Sequence, residues 1–284
     1  MLFFKKRLPL AVAGIFTLLL GAGCDTIEPP YMTGPGNGNN DNGDTVRKVL
    51  LEEFTGHHCP NCPDASFLAK ELQAYYGDRM IIVSVHAGWF ARVSEPPFDS
   101  DYTTPTGDAL DTHFGVSHNP IGMVNRTPYA GSVLLSPSAW GEAIEQTIGT
   151  SPVVLIDLSV DYDDSTRQIS IEAEVEAVET LESPVYLSLY LKENGIVSAQ
   201  RTNDDSYPSG IIEDYEHNHV LRLGINGTWG DQLSEAPFLQ GDVIQKGYSV
   251  TLDQEWDPHQ CTVVAFVYDA STMEILQAEK HSVH

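Results

Sequence analysis

The sequence predicts two domains in tandem: an α/β unit over residues 47–150 and an all-β sandwich over residues 151–284. Three observations predict this. In the first segment, buried-strand runs alternate with helical apolar spacing, the pattern of an α/β unit. Beyond Ser151-Pro152, apolar residues fall at strict period two and no helical stretch appears, which reads as a sandwich. A chain of 284 residues with 42 % hydrophobic content has enough material for two cores.

The first 24 residues decide the compartment. Lys5, Lys6 and Arg7 form a basic start, and Leu8 to Leu20 form an apolar run of signal-peptide length, too short to span a bilayer with normal flanks. Leu20-Gly21-Ala22-Gly23-Cys24 then resembles the lipobox of bacterial lipoproteins, with Gly21 a looser fit than usual. The resemblance implies a signal peptide over 1–23, removed to leave Cys24 as an acylated N-terminus. The alternative is an ordinary cleaved signal with an incidental cysteine. Several acyl chains on one residue anchor stably where one does not. The expected location is the outer membrane, lipid-anchored, on the periplasmic or cell-surface face.

Residues 24–46 carry Gly, Asn, Asp and Pro without apolar periodicity and read as a flexible tether with an end-to-end distance of roughly 25 Å. From Arg47 the composition changes. Val49-Leu50-Leu51 with Phe54 reads as a buried strand. Phe67, Leu68, Leu72 and Tyr75 recur at helical spacing, and Gly77 supplies a stop. Met80 to Val85 is a second strand. Residues 88–112 form a long insertion, a helix runs into Phe114, and Ile121 to Asn125 is a third strand. Ala139 to Ile148 is a helix with Trp140, Ile144 and Ile148 on one face. In the second segment the alternating runs are Ile169 to Ala177, Val185 to Leu191 and Cys261 to Val267.

The formal charge is −25, and loss of the three basic residues of 1–23 would make it −28. That acidity argues against nucleic acid, whose phosphates need Lys and Arg, and against docking on anionic lipid. Three cysteines remain beyond Cys24: one close pair, Cys59 and Cys62, and a distant Cys261. A disulfide-stapled framework would show a denser, even set. Cys261 alternates with Val263 and Ala265 and reads as a small buried hydrophobe.

Glu53-Phe54-Thr55-Gly56-His57-His58-Cys59-Pro60-Asn61-Cys62 is a strand, a short turn, and a C-x-x-C opening a helix: the thioredoxin arrangement. A cysteine at a helix N-terminus sits in the positive end of the dipole, where the thiolate is favoured. Cys59 is expected to be the more exposed attacker, and Cys62 to resolve the mixed disulfide. Glu53 matches the buried acid that shuttles a proton in thioredoxin-like proteins, or it is an exposed strand-end carboxylate. Pro120, in His118-Asn119-Pro120, is similar to the cis-proline of that fold and is expected across from the pair. Two other readings stay open: an inert structural disulfide, and half of a zinc site. His57, His58, His86 and His118 could converge on the cysteines, and two thiolates with His86 or His118 would suit Cu(I) or Zn. His217 and His219 would share one strand face, a weak metal signal without a third ligand.

Taken together, VLLEEFTGHHCPNCPDA, IIVSVHAGWFA, HNPIGMVNR and YEHNHVLRLGINGTWG resemble the Bacteroidetes outer-membrane lipoproteins of the twenty-eight-kilodalton type, over roughly residues 47–284. The resemblance implies a thioredoxin-like domain followed by an immunoglobulin-like β-domain. Function then divides three ways. The chain is a thiol–disulfide oxidoreductase acting on protein thiols through Cys59, Cys62, Glu53 and Pro120; or a non-enzymatic lipoprotein partnering an outer-membrane assembly; or a copper or zinc carrier. Apart from that metal, no cofactor is expected. The membrane is a partner through the lipid on Cys24.

Overall fold

The computed structural model describes residues 46–284. The predicted signal segment, Cys24 and almost all of the tether lie outside them. The described chain is mostly β-sheet with few helices. Its first half runs β1 (Val49–Thr55), α1 (Cys62–Tyr76), β2 (Met80–His86), α2 (Pro105–Phe114), β3 (Ile121–Val124) and α3 (Pro137–Ile148). Its second half is β4 (Val154–Asp163), β5 (Gln168–Ala177), β6 (Val185–Glu193), β7 (Ile196–Arg201), β8 (Ile211–His217), β9 (Val220–Gly224), β10 (Asp231–Ser234), β11 (Val243–Thr251), β12 (Cys261–Asp269) and β13 (Ile275–Ser282).

Local chemistry sets these elements. Every residue of β1 and β2 is buried, as expected of strands covered on both faces. α1 carries Pro63 and Asp64 in its first turn, where a missing N–H costs nothing and a negative charge meets the helix dipole. In α2 the Thr104 hydroxyl accepts from the Gly107 N–H at 2.9 Å, capping the helix. Gly115 stops it in the left-handed region at φ 69°. α3 buries Trp140, Ile144 and Ile148, one residue per turn, against the sheet.

α1 departs from its expected face. Phe67 is 63 % exposed, and the buried positions are Cys62, Ala65, Ala69 and Leu72. Small side chains let the helix approach the sheet closely, so the alanine stripe, not the aromatic one, turns inward.

β1 pairs with β2 in parallel and with β3 antiparallel. That sheet does not stop at residue 150. It runs β13-β12-β6-β9-β2-β1-β3, with β10 beside β6. The joint is β2 to β9, where Ser84 aligns with Val220 and the Ser84 N–H donates to the His219 carbonyl at 2.7 Å. The side chain of Lys192 on β6 crosses the same joint and donates to the Ile82 carbonyl at 2.9 Å.

A three-stranded sheet, β11-β5-β4, packs on one face of the C-terminal strands. Ile169, Ile171 and Val175 meet Leu187, Leu189, Val263 and Ala265 there. On the opposite face of β12, Val264 and Phe266 join Leu50 and Phe54 of β1 and Leu110 of α2 in a core shared by both halves. β7 and β8 form a separate two-stranded hairpin. Among the described residues no helix is long and apolar enough to cross a membrane.

Candidate functional site

The cysteine pair sits where β1 ends and α1 begins. The turn at Gly56 is tight because the backbone of Phe90 passes over it: a Cβ there would lie 2.4 Å from the Phe90 carbonyl carbon. The Cys59 N–H donates to the Gly56 carbonyl at 2.9 Å, and Cys59 and Cys62 are joined as a disulfide with Cα atoms 5.4 Å apart.

Both cysteines are 1 % exposed. The expectation of an exposed Cys59 is therefore corrected, and the cause is long-range. The strand end of β7 and the turn after it lie across the motif. Gln200 donates its side-chain amide to the Cys59 carbonyl at 2.8 Å. The Arg201 N–H donates to the His57 carbonyl at 2.8 Å, and the Asn203 N–H to the Pro60 carbonyl at 3.0 Å. Asn203 also bonds the Asn61 side chain at 2.5 Å. The other flank is closed by the 88–112 segment. The Arg92 carbonyl meets His57 Nε2 at 2.8 Å, and the Phe98 ring lies 4.6 Å from that of His58. Burial, then Arg92 and His57, push the His58 imidazole down to about 4.

Glu53 is buried, at 1 % exposure, and is not the exposed strand-end carboxylate of the alternative reading. It accepts from the Ser66 hydroxyl at 2.9 Å and from Ser84 at 3.5 Å. Burial raises its pKa to about 7, and the two serine hydrogen bonds oppose that rise. Glu53 and Cys62 line one cavity of about 630 Å³, which opens between α1 and the β7–β8 hairpin. Pro120 follows a cis Asn119–Pro120 bond. Asn119 donates to the Thr55 carbonyl at 3.1 Å, which ties this loop to the end of β1 just before the motif.

The histidines divide. His57, His58 and His86 are buried near the motif, but His118 is exposed and bonds only the neighbouring Ser117 hydroxyl at 3.2 Å. The expected convergence of His118 on the cysteines does not occur, because the loop ties down through Asn119. His217 and His219 do not share a strand face either. β8 ends at His217, and His219 turns the chain with φ 60°. His217 instead packs 5.7 Å from His86, ring to ring. Burial, then His57, takes His217 down to about 4, and burial with His217 takes His86 well below its usual range. No group of three or more His, Cys, Asp or Glu side chains among the described residues is arranged to hold a metal.

Gln200, Asn203, Ser66 and the His86–His217 pair carry no local motif and were not legible in the sequence. Ser84 left one signal: it is the lone polar residue inside the run Met80 to Val85.

Comparison with known proteins bears on this arrangement. The model of a family described as outer membrane protein Omp28 matches residues 107–284, more than half of the chain. No curated protein sequence matches. Among solved structures, HBP35 of Porphyromonas gingivalis is similar at 20 % identity and a TM-score of 0.63, over 85 % of this chain and 76 % of that one. A structural-genomics target from Agrobacterium tumefaciens is similar at 11 % identity and a TM-score of 0.51, over 84 % and 96 %. A domain of the outer membrane lipoprotein Omp28 from Porphyromonas gingivalis aligns at 20 % identity with a TM-score of 0.33, over 47 % and 89 %. The first two likenesses concern the fold. The family match begins after the cysteine pair and does not include Cys59 and Cys62.

Proposed function

The chain belongs to the Omp28 family of outer membrane proteins, and from the geometry around its cysteine pair we propose a lipid-anchored envelope thiol–disulfide oxidoreductase, built on a thioredoxin-like first half and closed at rest by its own β7–β8 hairpin. Cys24 carries the lipid, and the two β layers of the second half form an immunoglobulin-like module that selects protein partners. The observation that carries the redox reading is Glu53. A carboxyl buried without a cationic partner is costly unless it holds a proton. This one is poised at about 7 and lines the same cavity as Cys62.

The half-reaction follows. With the hairpin lifted, a substrate thiolate attacks Cys59 Sγ and the Cys59–Cys62 bond breaks. Cys62 leaves as a thiolate and takes the Glu53 proton. A second substrate thiolate then attacks the mixed disulfide and expels Cys59. The substrate dithiol is oxidised and the pair is reduced. Run backwards, Glu53 is the base that activates Cys62.

A second reading is favoured by the cover itself. Gln200 and Asn203 seal the motif as they would a structural disulfide in a partner-binding lipoprotein of an outer-membrane assembly.

A redox titration of the chain in glutathione or dithiothreitol buffers separates the two, with thiols trapped by maleimide and counted by intact mass. A couple between roughly −120 and −270 mV places the pair among working oxidoreductases, and one below about −300 mV marks a structural bond.

A further inference from the structure

We propose that His86 and His217 form a two-coordinate site for a soft monovalent cation, Cu(I), in the wall of the cavity between α1 and the β7–β8 hairpin. The site needs neither cysteine and stands apart from the redox reading.

Buried polar groups in folded proteins almost always have a hydrogen-bond partner. Here His86 is 3 % exposed and its ring meets no side-chain hydrogen-bond partner, only the Ser84 backbone, and His217 is 4 % exposed and held by the backbone of Ala199 and Ser198, with no well-formed bond at Nε2. Both line the cavity. The two rings come from opposite halves of the chain, one from the end of β2 and one from the end of β8, and their centroids are 5.7 Å apart. An ion held linearly at about 2 Å by one nitrogen of each ring would set the centroids a little over roughly 6 Å apart, so the two rings stand slightly closer than a loaded linear pair would.

The donor set selects the ion. Zn²⁺ takes three or four ligands, and no third donor joins these two among the described residues. Two neutral imidazoles suit a soft d¹⁰ ion that accepts linear coordination. Tyr102 closes the pair, its ring 5.2 Å from His86 and 5.1 Å from His217, with its hydroxyl spent on Ser198 at 2.7 Å. Arg222, whose charge reaches both rings, is neutralised by Glu193 at 2.7 Å. Asp64, Asp204 and Glu216 line the cavity against Lys70 alone, a balance that draws cations inward.

The test uses the full chain in detergent, with the Cys59–Cys62 disulfide intact. It is titrated anaerobically with Cu(I) against a chromophoric Cu(I) chelator. One ion per chain is expected, with at least tenfold weaker retention in His86→Ala and in His217→Ala and no change in His118→Ala. X-ray absorption on the loaded wild type should show two nitrogen neighbours and no sulfur. That measurement decides the matter even if a buried-histidine variant fails to fold. Failure to compete with the chelator, retention that survives both histidine variants, or sulfur in the copper shell would each overturn the site.

Discussion

The side-chain amide of Gln200 rests 2.8 Å from the carbonyl oxygen of Cys59, across 141 positions of sequence. One residue of the β7–β8 hairpin thus holds the backbone of the cysteine motif, and the same amide reaches the Gly56 carbonyl at 3.4 Å. On the proposed reading, access to the disulfide requires this hairpin to open. Gln200→Ala removes a buried bond worth about 1 kcal/mol. That shift raises the open population roughly fivefold. Reduction by dithiothreitol, followed by maleimide trapping, should accelerate by that factor at unchanged disulfide potential. An unchanged rate would show that the hairpin does not gate the pair.

Glu53 ties stability to pH with a definite sign. Its folded pKa, about 7, lies above the ordinary carboxyl value of 4.5. Between those values the folded state binds more protons than the unfolded one, so this group's contribution to stability falls as pH rises. Above pH 7 the loss is complete, on the order of 3 kcal/mol. Glu53→Gln keeps an acceptor for Ser66 and Ser84 but cannot ionise. Urea melts of the variant and the wild type should coincide near pH 4 and diverge toward pH 8, with the variant more stable. Curves that stay parallel would mean that Glu53 is not held protonated by its surroundings.

Much of this site was legible from local sequence, and the rest was not, for physical reasons. The cysteine pair, Glu53 and Pro120 lie in short segments whose spacing is itself the signal, and the apolar runs of β1 and β2 announce strands buried on both faces. The orientation of α1 is hidden because Phe67 dominates any hydrophobic tally, whereas packing depends on which side chains are small enough to face a sheet, here Ala65 and Ala69. The break after His217 was hidden because nothing in His-Asn-His demands the positive φ of His219. The burial of Cys59 depends on Gln200 and Asn203, polar residues with no local pattern, and only tertiary structure brings them to the motif.

Lys192 makes the opposite prediction to Glu53. Its side-chain nitrogen is buried at the β2–β9 joint, bonded to the Ile82 carbonyl at 2.9 Å and to His219 Nδ1 at 3.1 Å. Burial, then Lys280, lowers its pKa from 10.5 to about 7. Between those values the unfolded state binds more protons, so this group's contribution to stability rises with pH. Lys192→Met should therefore lose a rise of a few kcal/mol between pH 7 and pH 10. The comparison is again made by urea melts, and an unaltered slope would count against a neutral buried amine.

The last prediction concerns how the two halves unfold. Arg126 and Glu52 are each 1 % exposed in their side chains and meet through two bonds of 2.7 Å. The guanidinium also bonds the Tyr190 hydroxyl of β6 at 3.2 Å and lies over the Phe266 ring of β12 at 5.2 Å. This ion pair belongs to the first half by sequence and to both by contact. Breaking one partner leaves an uncompensated buried charge, a loss of about 3–5 kcal/mol. Because one sheet and one core run through the joint, Glu52→Gln should lower the midpoint of the entire molecule and not of a separate N-terminal transition. Calorimetry of the wild type should give a single peak whose van't Hoff and calorimetric enthalpies agree, and the variant should shift that peak intact. Two resolved peaks, with only the first moved by the substitution, would mean that the halves fold independently and that the shared sheet does not couple them.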